Sequence, residues 1–237
     1  KAGSTVTNTS GTVSAQVSAS AASGFSVITY TADATDPITV GHGLGIAPSM
    51  YIVKCRNTGG TDWFTYHSAI GATKNLRLNT TAAAATATGV WNDTAPTSTV
   101  LTTSNSINTN GNTYVVYAFA QIAGYSAFGS YTGNASADGP FIYLGFRPRY
   151  VLFKNSSSAV SWNIFDTARD PYNVATHYLG SSNGNVEGIF TTFDMLSNGF
   201  KIRTTDADTN GSGSTITYAA FAETHSTTAW RGNYVLS

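Results

Sequence analysis

Gly24-Phe25-Ser26 returns one hundred residues later as Gly124-Tyr125-Ser126. Gly45-Ile46-Ala47-Pro48-Ser49-Met50-Tyr51-Ile52-Val53-Lys54 returns at the same spacing as Gly145-Phe146-Arg147-Pro148-Arg149-Tyr150-Val151-Leu152-Phe153-Lys154. Trp63-Phe64-Thr65-Tyr66-His67-Ser68-Ala69 matches Trp162-Asn163-Ile164-Phe165-Asp166-Thr167-Ala168 at a spacing of ninety-nine. Asn110-Gly111 followed by Tyr117-Ala118-Phe119-Ala120 matches Asn210-Gly211 followed by Tyr218-Ala219-Ala220-Phe221-Ala222. Four blocks in one order at nearly one spacing read as a duplication. The chain must therefore fold as two like units, each near the lower end of ordinary domain size, roughly 100 residues.

The periodicity within each unit is that of strands. Tyr51-Ile52-Val53-Lys54-Cys55, Tyr114-Val115-Val116-Tyr117-Ala118-Phe119, Tyr150-Val151-Leu152-Phe153-Lys154 and Thr215-Ile216-Thr217-Tyr218 are short aromatic and β-branched runs. Gly/Asn/Ser clusters bound them at 57–60, 108–112, 155–158 and 210–213, as turns between strands require. The alanines at 82–85 sit among threonines, whose branched Cβ disfavours a helix. The expected class is all-β: two tandem, internally duplicated jelly-roll-like β-sandwich units with a short N-terminal arm. The expected boundaries are a Ser/Thr/Ala-rich arm or linker at 1–23, repeat one at 24–123, repeat two at 124–224 and a docking tail at 225–237. The tail carries Trp230 and Tyr234.

Composition removes several functions. Twelve Lys+Arg balance twelve Asp+Glu, and charged residues are 10% of the chain, so no basic face is available to displace counterions from nucleic acid. One cysteine cannot make a disulfide framework. No apolar run reaches the roughly 20 residues of a membrane-spanning helix, and no signal-peptide pattern opens the sequence. At 41% hydrophobic and 12% aromatic residues the chain can build a core. Its Thr/Ser/Asn surface suits extracellular or virion material.

Val40-Gly41-His42-Gly43-Leu44-Gly45-Ile46-Ala47-Pro48, then Ile52-Val53-Lys54, resembles a duplicated β-domain of tailed-bacteriophage tail-fibre and hypothetical structural proteins. Trp91-Asn92-Asp93-Thr94-Ala95-Pro96, Phe128-Gly129-Ser130-Tyr131-Thr132-Gly133-Asn134 and Leu196-Ser197-Asn198-Gly199-Phe200-Lys201-Ile202-Arg203 extend the resemblance across about residues 24–224. It implies a virion surface component in a tail appendage or on the capsid exterior, assembled in the bacterial cytoplasm. A homo-oligomer, a trimer in a fibre, is the expected assembly, with other virion proteins and a host surface glycan as partners. The resemblance brings no catalytic or ligand motif with it.

The residues themselves offer few sites. Asp206-x-Asp208-x-Asn210-Gly211 has the opening spacing of a calcium loop, but its twelfth position is Thr217 rather than Glu; a solvated hairpin turn is the preferred reading, with calcium the sole cofactor considered. His67 and Asp166 occupy equivalent places and could meet only if the units face each other. His42 lies between glycines and reads as a hydrogen-bonding turn residue. Cys55 aligns with Asn155 and reads as a strand residue.

A glycosidase needs two carboxylates roughly 5–10 Å apart, and nothing in the aspartate spacing singles out a pair. The chain has two glutamates, Glu187 and Glu223. The expectation is thus no enzyme, with a polysaccharide depolymerase as the minor alternative. Aromatics are the better lead. Trp63 and Trp162 are repeated, which argues for packing. Trp91-Asn92-Asp93 and Tyr172-Asn173 are unrepeated and lie in polar stretches. There an aromatic face and flanking amides could hold a sugar, against the competing reading that they cap the sandwich. Two functions remain: a receptor- or glycan-binding appendage module, and a capsid-decorating or purely architectural protein.

Overall fold

The computed structural model describes residues 3–182, 184 and 186–223. The expected tail at 225–237, with Trp230 and Tyr234, lies outside the described residues. In chain order the first half carries β1 (Val6–Asn8), β2 (Ala15–Ser20), β3 (Phe25–Thr31), β4 (Ile38–Gly41), β5 (Met50–Cys55) and β6 (Phe64–His67). These are followed by β7 (Lys74–Arg77), β8 (Ala85–Thr86), the short helix α1 (Thr88–Trp91), β9 (Val100–Thr103) and β10 (Thr113–Phe119). The second half carries β11 (Ser126–Thr132), β12 (Phe141–Tyr143), β13 (Pro148–Asn155), β14 (Asn163–Asp166), β15 (Ala175–Gly180), β16 (Gly188–Leu196), β17 (Gly199–Ile202), α2 (Ala207–Asn210) and β18 (Thr215–Ala222). The protein is all-β, and its strands form sandwiches.

One eight-stranded sheet has the order β1-β2-β3-β10-β5-β6-β7-β8, and the other β11-β18-β13-β14-β15-β16-β17-β12. They share a central order: β3-β10-β5-β6-β7 in one corresponds to β11-β18-β13-β14-β15 in the other. The closing strand lies between the opening strand and the strand after the Gly-x-x-Pro turn in both. That turn places Gly45 and Gly145 at φ 75° and 79°, a left-handed backbone that a Cβ would strain. A two-stranded sheet, β4-β9, completes the first half.

In the segment expected to be an arm or linker, the described residues 3–23 include two strands of the first sheet. β2 pairs with β3 from Ala15↔Tyr30 to Ser20↔Phe25, and β1 pairs with β2. The alternation of Val13, Ala15 and Val17 buries all three. A period of two aims those side chains at one face, so the segment belongs to the first core.

Each half has its own core. The first gathers Val17, Ile28, Val40, Tyr51, Tyr66, Trp91 and Val116. The second gathers Tyr131, Val151, Phe153, Phe165, Phe193 and Phe200. A third core lies between the two large sheets and joins Met50, Ile52 and Leu76 to Phe128, Leu152, Trp162 and Ala219. The central strands are therefore covered on both faces. On β5, Tyr51 and Val53 face the first core while Met50 and Ile52 face the third; on β13, Val151 and Phe153 face the second core while Leu152 faces the third.

Polar groups seal this middle layer. The Trp162 indole donates to Arg77 O at 3.0 Å, Lys154 Nζ to Thr81 O at 3.1 Å, Ser181 Oγ to Leu78 O at 3.0 Å and Ala84 N to Ser156 O at 2.9 Å. His67 Nε2 lies 3.0 Å from Tyr218 O. The two halves form one body.

Candidate functional site

Trp91 stands apart from its expected role. It is 0% exposed, at the end of α1, with its ring edge-on to Tyr51 at 4.9 Å and its indole donating to Lys74 O at 3.1 Å. The polar letters around it describe the chain's surface path, while the helical turn aims the indole inward. Asn92 and Asp93 take φ 51° and 48°, and the Asn92 N–H closes α1 on Thr88 O at 2.7 Å. Asn suits such a left-handed helix end. The Trp91-Asn92-Asp93 string is thus a buried anchor and a helix stop, and it offers no aromatic face to a sugar.

Tyr172 keeps its aromatic face in solvent, at 84% exposure. Asn173 beside it is tied down: Nδ2 donates to Met195 O at 3.1 Å, and Oδ1 accepts from Met195 N at 2.8 Å. Exposed apolar groups concentrate in this half. Tyr172, Leu179, Val186, Ile189 and Phe190 belong to or flank the β15–β16 hairpin, and Phe141 and Tyr143 face outward from the edge strand β12. The first half exposes only Val6 and Ile46 among its described large apolar residues.

Beside Tyr172 lies a pair that spacing did not reveal. His177 Nδ1 is 2.7 Å from Asp170 Oδ1, and the backbone N–H groups of Thr176 and His177 both donate to Asp170 Oδ2 at 2.7 Å. Burial would raise the Asp170 pKa, but the hydrogen bonds from His177 and Thr176 outweigh it and hold the carboxyl below its ordinary value. The seven-residue spacing crosses a loop, so no periodic pattern marks it.

Asp206, Asp208 and Asn210 do not form a hairpin turn. Asp206 caps α2, its Oδ1 accepting from Asp208 N at 2.8 Å, as a short acceptor side chain does for orphan helical donors. Asn210 is fully buried and wholly used: its Nδ2 lies within hydrogen-bonding distance of Thr204 O, Ser136 O and Asn134 Oδ1, and its Oδ1 accepts from Asn134 N. It pins the segment after β17 to the loop after β11 and cannot serve as a ligand.

The two acids remain available. Asp206 and Asp208 line a cleft of about 190 Å³ at the end of the second core, with Asn163, Thr209, Tyr178 and Phe190. Burial raises the Asp208 pKa, with the charge of Asp206 adding to it, while a hydrogen bond from the Asn163 side chain and the charge of Lys154 oppose it. Asn163 and Thr209 are 5% and 2% exposed, and Asn163 Oδ1 and Thr209 Oγ1 have no hydrogen-bond partner. Asn163 and Thr209 carried no signal in the sequence, because only the folded chain brings the start of β14 and α2 to one cleft.

The first half has a cleft of about 270 Å³ at the like position, lined among others by Phe64, Ser106, Ile107 and Thr109. Ser106 stands where Asp206 does, and the aspartate that lines this cleft, Asp62, pairs with Arg77 at 3.1 Å.

His67 and Asp166 do not meet. Asp166 binds Arg169, and His67 is buried against Tyr218 O. Burial pushes the His67 pKa down to about 4. His42 is a buried turn residue, with Nε2 3.2 Å from Thr97 O and Nδ1 accepting from Leu44 N. Lys54 and Lys154, the repeated motif lysines, close turns onto backbone carbonyls. Glu187 and Glu223 face Arg169 and Arg149. No group of three His, Cys, Asp or Glu is placed to hold a metal among the described residues.

A family model described as "Domain of unknown function (DUF7483)" matches residues 1–225. No curated protein and no solved structure matches the chain.

Proposed function

We propose, for a chain that belongs to the DUF7483 family, a role as a non-catalytic structural protein of a tailed-phage virion. In this reading it is a module of a tail fibre or another host-contacting appendage, and its second half touches a cell-surface glycan or receptor. The virion setting rests on the motif resemblance across both halves. The observation that carries the contact surface is the one-sided placement of exposed apolar residues in the second half, with Tyr172, 84% exposed ahead of β15, foremost.

Of the two expected sugar-facing aromatics, Trp91 and Tyr172, this reading keeps Tyr172. Tyr172→Ala is expected to weaken adsorption of the purified protein to host cell-envelope polysaccharide at least tenfold, with its melting temperature unchanged. Equal adsorption by the variant overturns this placement. Release of reducing ends from that polysaccharide overturns the non-catalytic reading.

A second reading has its own support. Phe141 and Tyr143 project from the edge strand β12, and an open apolar edge suits contact with another virion subunit. In that case the protein is architectural or decorates a capsid, and the homo-oligomer expected from the resemblance is lost on changing both residues to Ser.

A further inference from the structure

We propose that the cleft beside α2 binds a hard divalent cation, calcium in preference to magnesium. The carboxylates of Asp206 and Asp208, the Asn163 amide oxygen and the Thr209 hydroxyl would hold it. This goes beyond the proposed contact function and does not rest on it, since Tyr172 takes no part.

Two independent observations converge on the cleft. First, two carboxylates two residues apart line the same space, and one oxygen of Asp206 is committed to the helix cap while the other is left for a ligand. Second, Asn163 Oδ1 and Thr209 Oγ1 are buried without hydrogen-bond partners, on residues that line that space. Orphaned buried polar atoms are costly, at about 1–3 kcal/mol each, and a bound cation would give both a partner.

The donor chemistry selects the metal. All four groups present oxygen, two anionic and two neutral, and no sulfur or imidazole lines the cleft. Hard oxygen sets suit calcium or magnesium rather than zinc. The neutral amide and hydroxyl come from separate elements, β14 and α2, so the set is irregular. A cleft of about 190 Å³ leaves room for waters to complete the shell. Calcium tolerates such sites, with roughly six to eight ligands, where magnesium demands a near-ideal octahedron.

Lys154 does not already fill this role. Its ammonium is turned to Thr81 O, Ser158 O and Val160 O. The like cleft of the first half has Ser106 where this one has Asp206, and the aspartate that lines it, Asp62, is paired with Arg77 at 3.1 Å.

The test is calorimetric titration of calcium chloride into the chelator-stripped full chain. The expected result is one saturable site per chain, with a dissociation constant of about 10⁻⁴–10⁻³ M, the range of extracellular calcium modules. Asp208→Asn weakens it at least tenfold. Asp206→Asn does the same while α2 stays capped, since Asn caps as well as Asp; unchanged circular dichroism separates loss of binding from loss of fold. Asp33→Asn, an exposed acid far from the cleft in sequence, binds as the parent does. The absence of saturable heat up to about 10 mM calcium, beyond the weak end of that range, overturns the proposal. So does parental affinity in both cleft variants.

Discussion

Trp91 and Tyr172 look alike in the sequence, each an unrepeated aromatic beside Asn in a polar stretch, yet one is fully buried and the other is in solvent. What separates them is the direction in which the local backbone turns. The single helical turn of α1 carries the indole onto Tyr51 and Tyr66. Trp91→Ala is accordingly expected to destabilise the protein by about 3–5 kcal/mol, as large aromatic deletions in cores do, measured by denaturant unfolding. An unfolding midpoint close to the parent's would contradict this packing. His67 gives a second test at this scale. Burial holds its folded-state pKa near 4, below the ordinary 6.5, so the unfolded chain takes up a proton that the folded chain refuses. Its contribution is fully present above about pH 6.5 and is lost as pH falls towards 4. The loss is worth about 3 kcal/mol. His67→Gln should flatten that part of the stability–pH curve between pH 7 and 4.5.

Among the elements, β2 and α2 diverge most from what their letters suggest. The low-complexity run of Ser, Thr and Ala looks like a linker, but the alternation of Val13, Ala15 and Val17 is enough to seat β2 on the first core. Val17→Lys places an unpaired charge in that core and is expected to cost about 3 kcal/mol or more. Val6→Lys on the exposed edge strand β1 should stay within about 0.5 kcal/mol. Thermal melts of the two variants distinguish a structural strand from a dispensable arm. In α2 the same Asp-x-Asp-x-Asn string that suggests a calcium loop is split by the fold. Asn210 turns inward as a hydrogen-bond hub, and the two acids turn to the cleft with partners from β14.

For the whole molecule, the third core decides behaviour. It covers the outer faces of both large sheets and contains Trp162, 2% exposed, whose indole crosses to Arg77. The two halves should therefore unfold together. Calorimetry of the parent is expected to give one transition. Trp162→Ala, which hollows the shared layer at a cost of about 3–5 kcal/mol, is expected to separate it into two, because each half retains its own core. A single unshifted transition in the variant would show that the halves are coupled by something other than this layer.

The strand periods and the bounding turns were enough to give an all-β chain, because alternation and turn chemistry are local properties that survive in any packing. Even the double burial of the central strands was legible in part. Runs such as Met50-Tyr51-Ile52-Val53 and Tyr150-Val151-Leu152-Phe153 are apolar at every position, as strands covered on both faces must be. Which aromatic faces water, which polar group lacks a partner and which distant residues share a cleft depended on the relative placement of sheets and loops. Asn163 and Asp208 are forty-five residues apart and meet only because the fold brings the start of β14 and α2 to one cleft. No local period records a meeting of that kind, so the tertiary structure alone decided it.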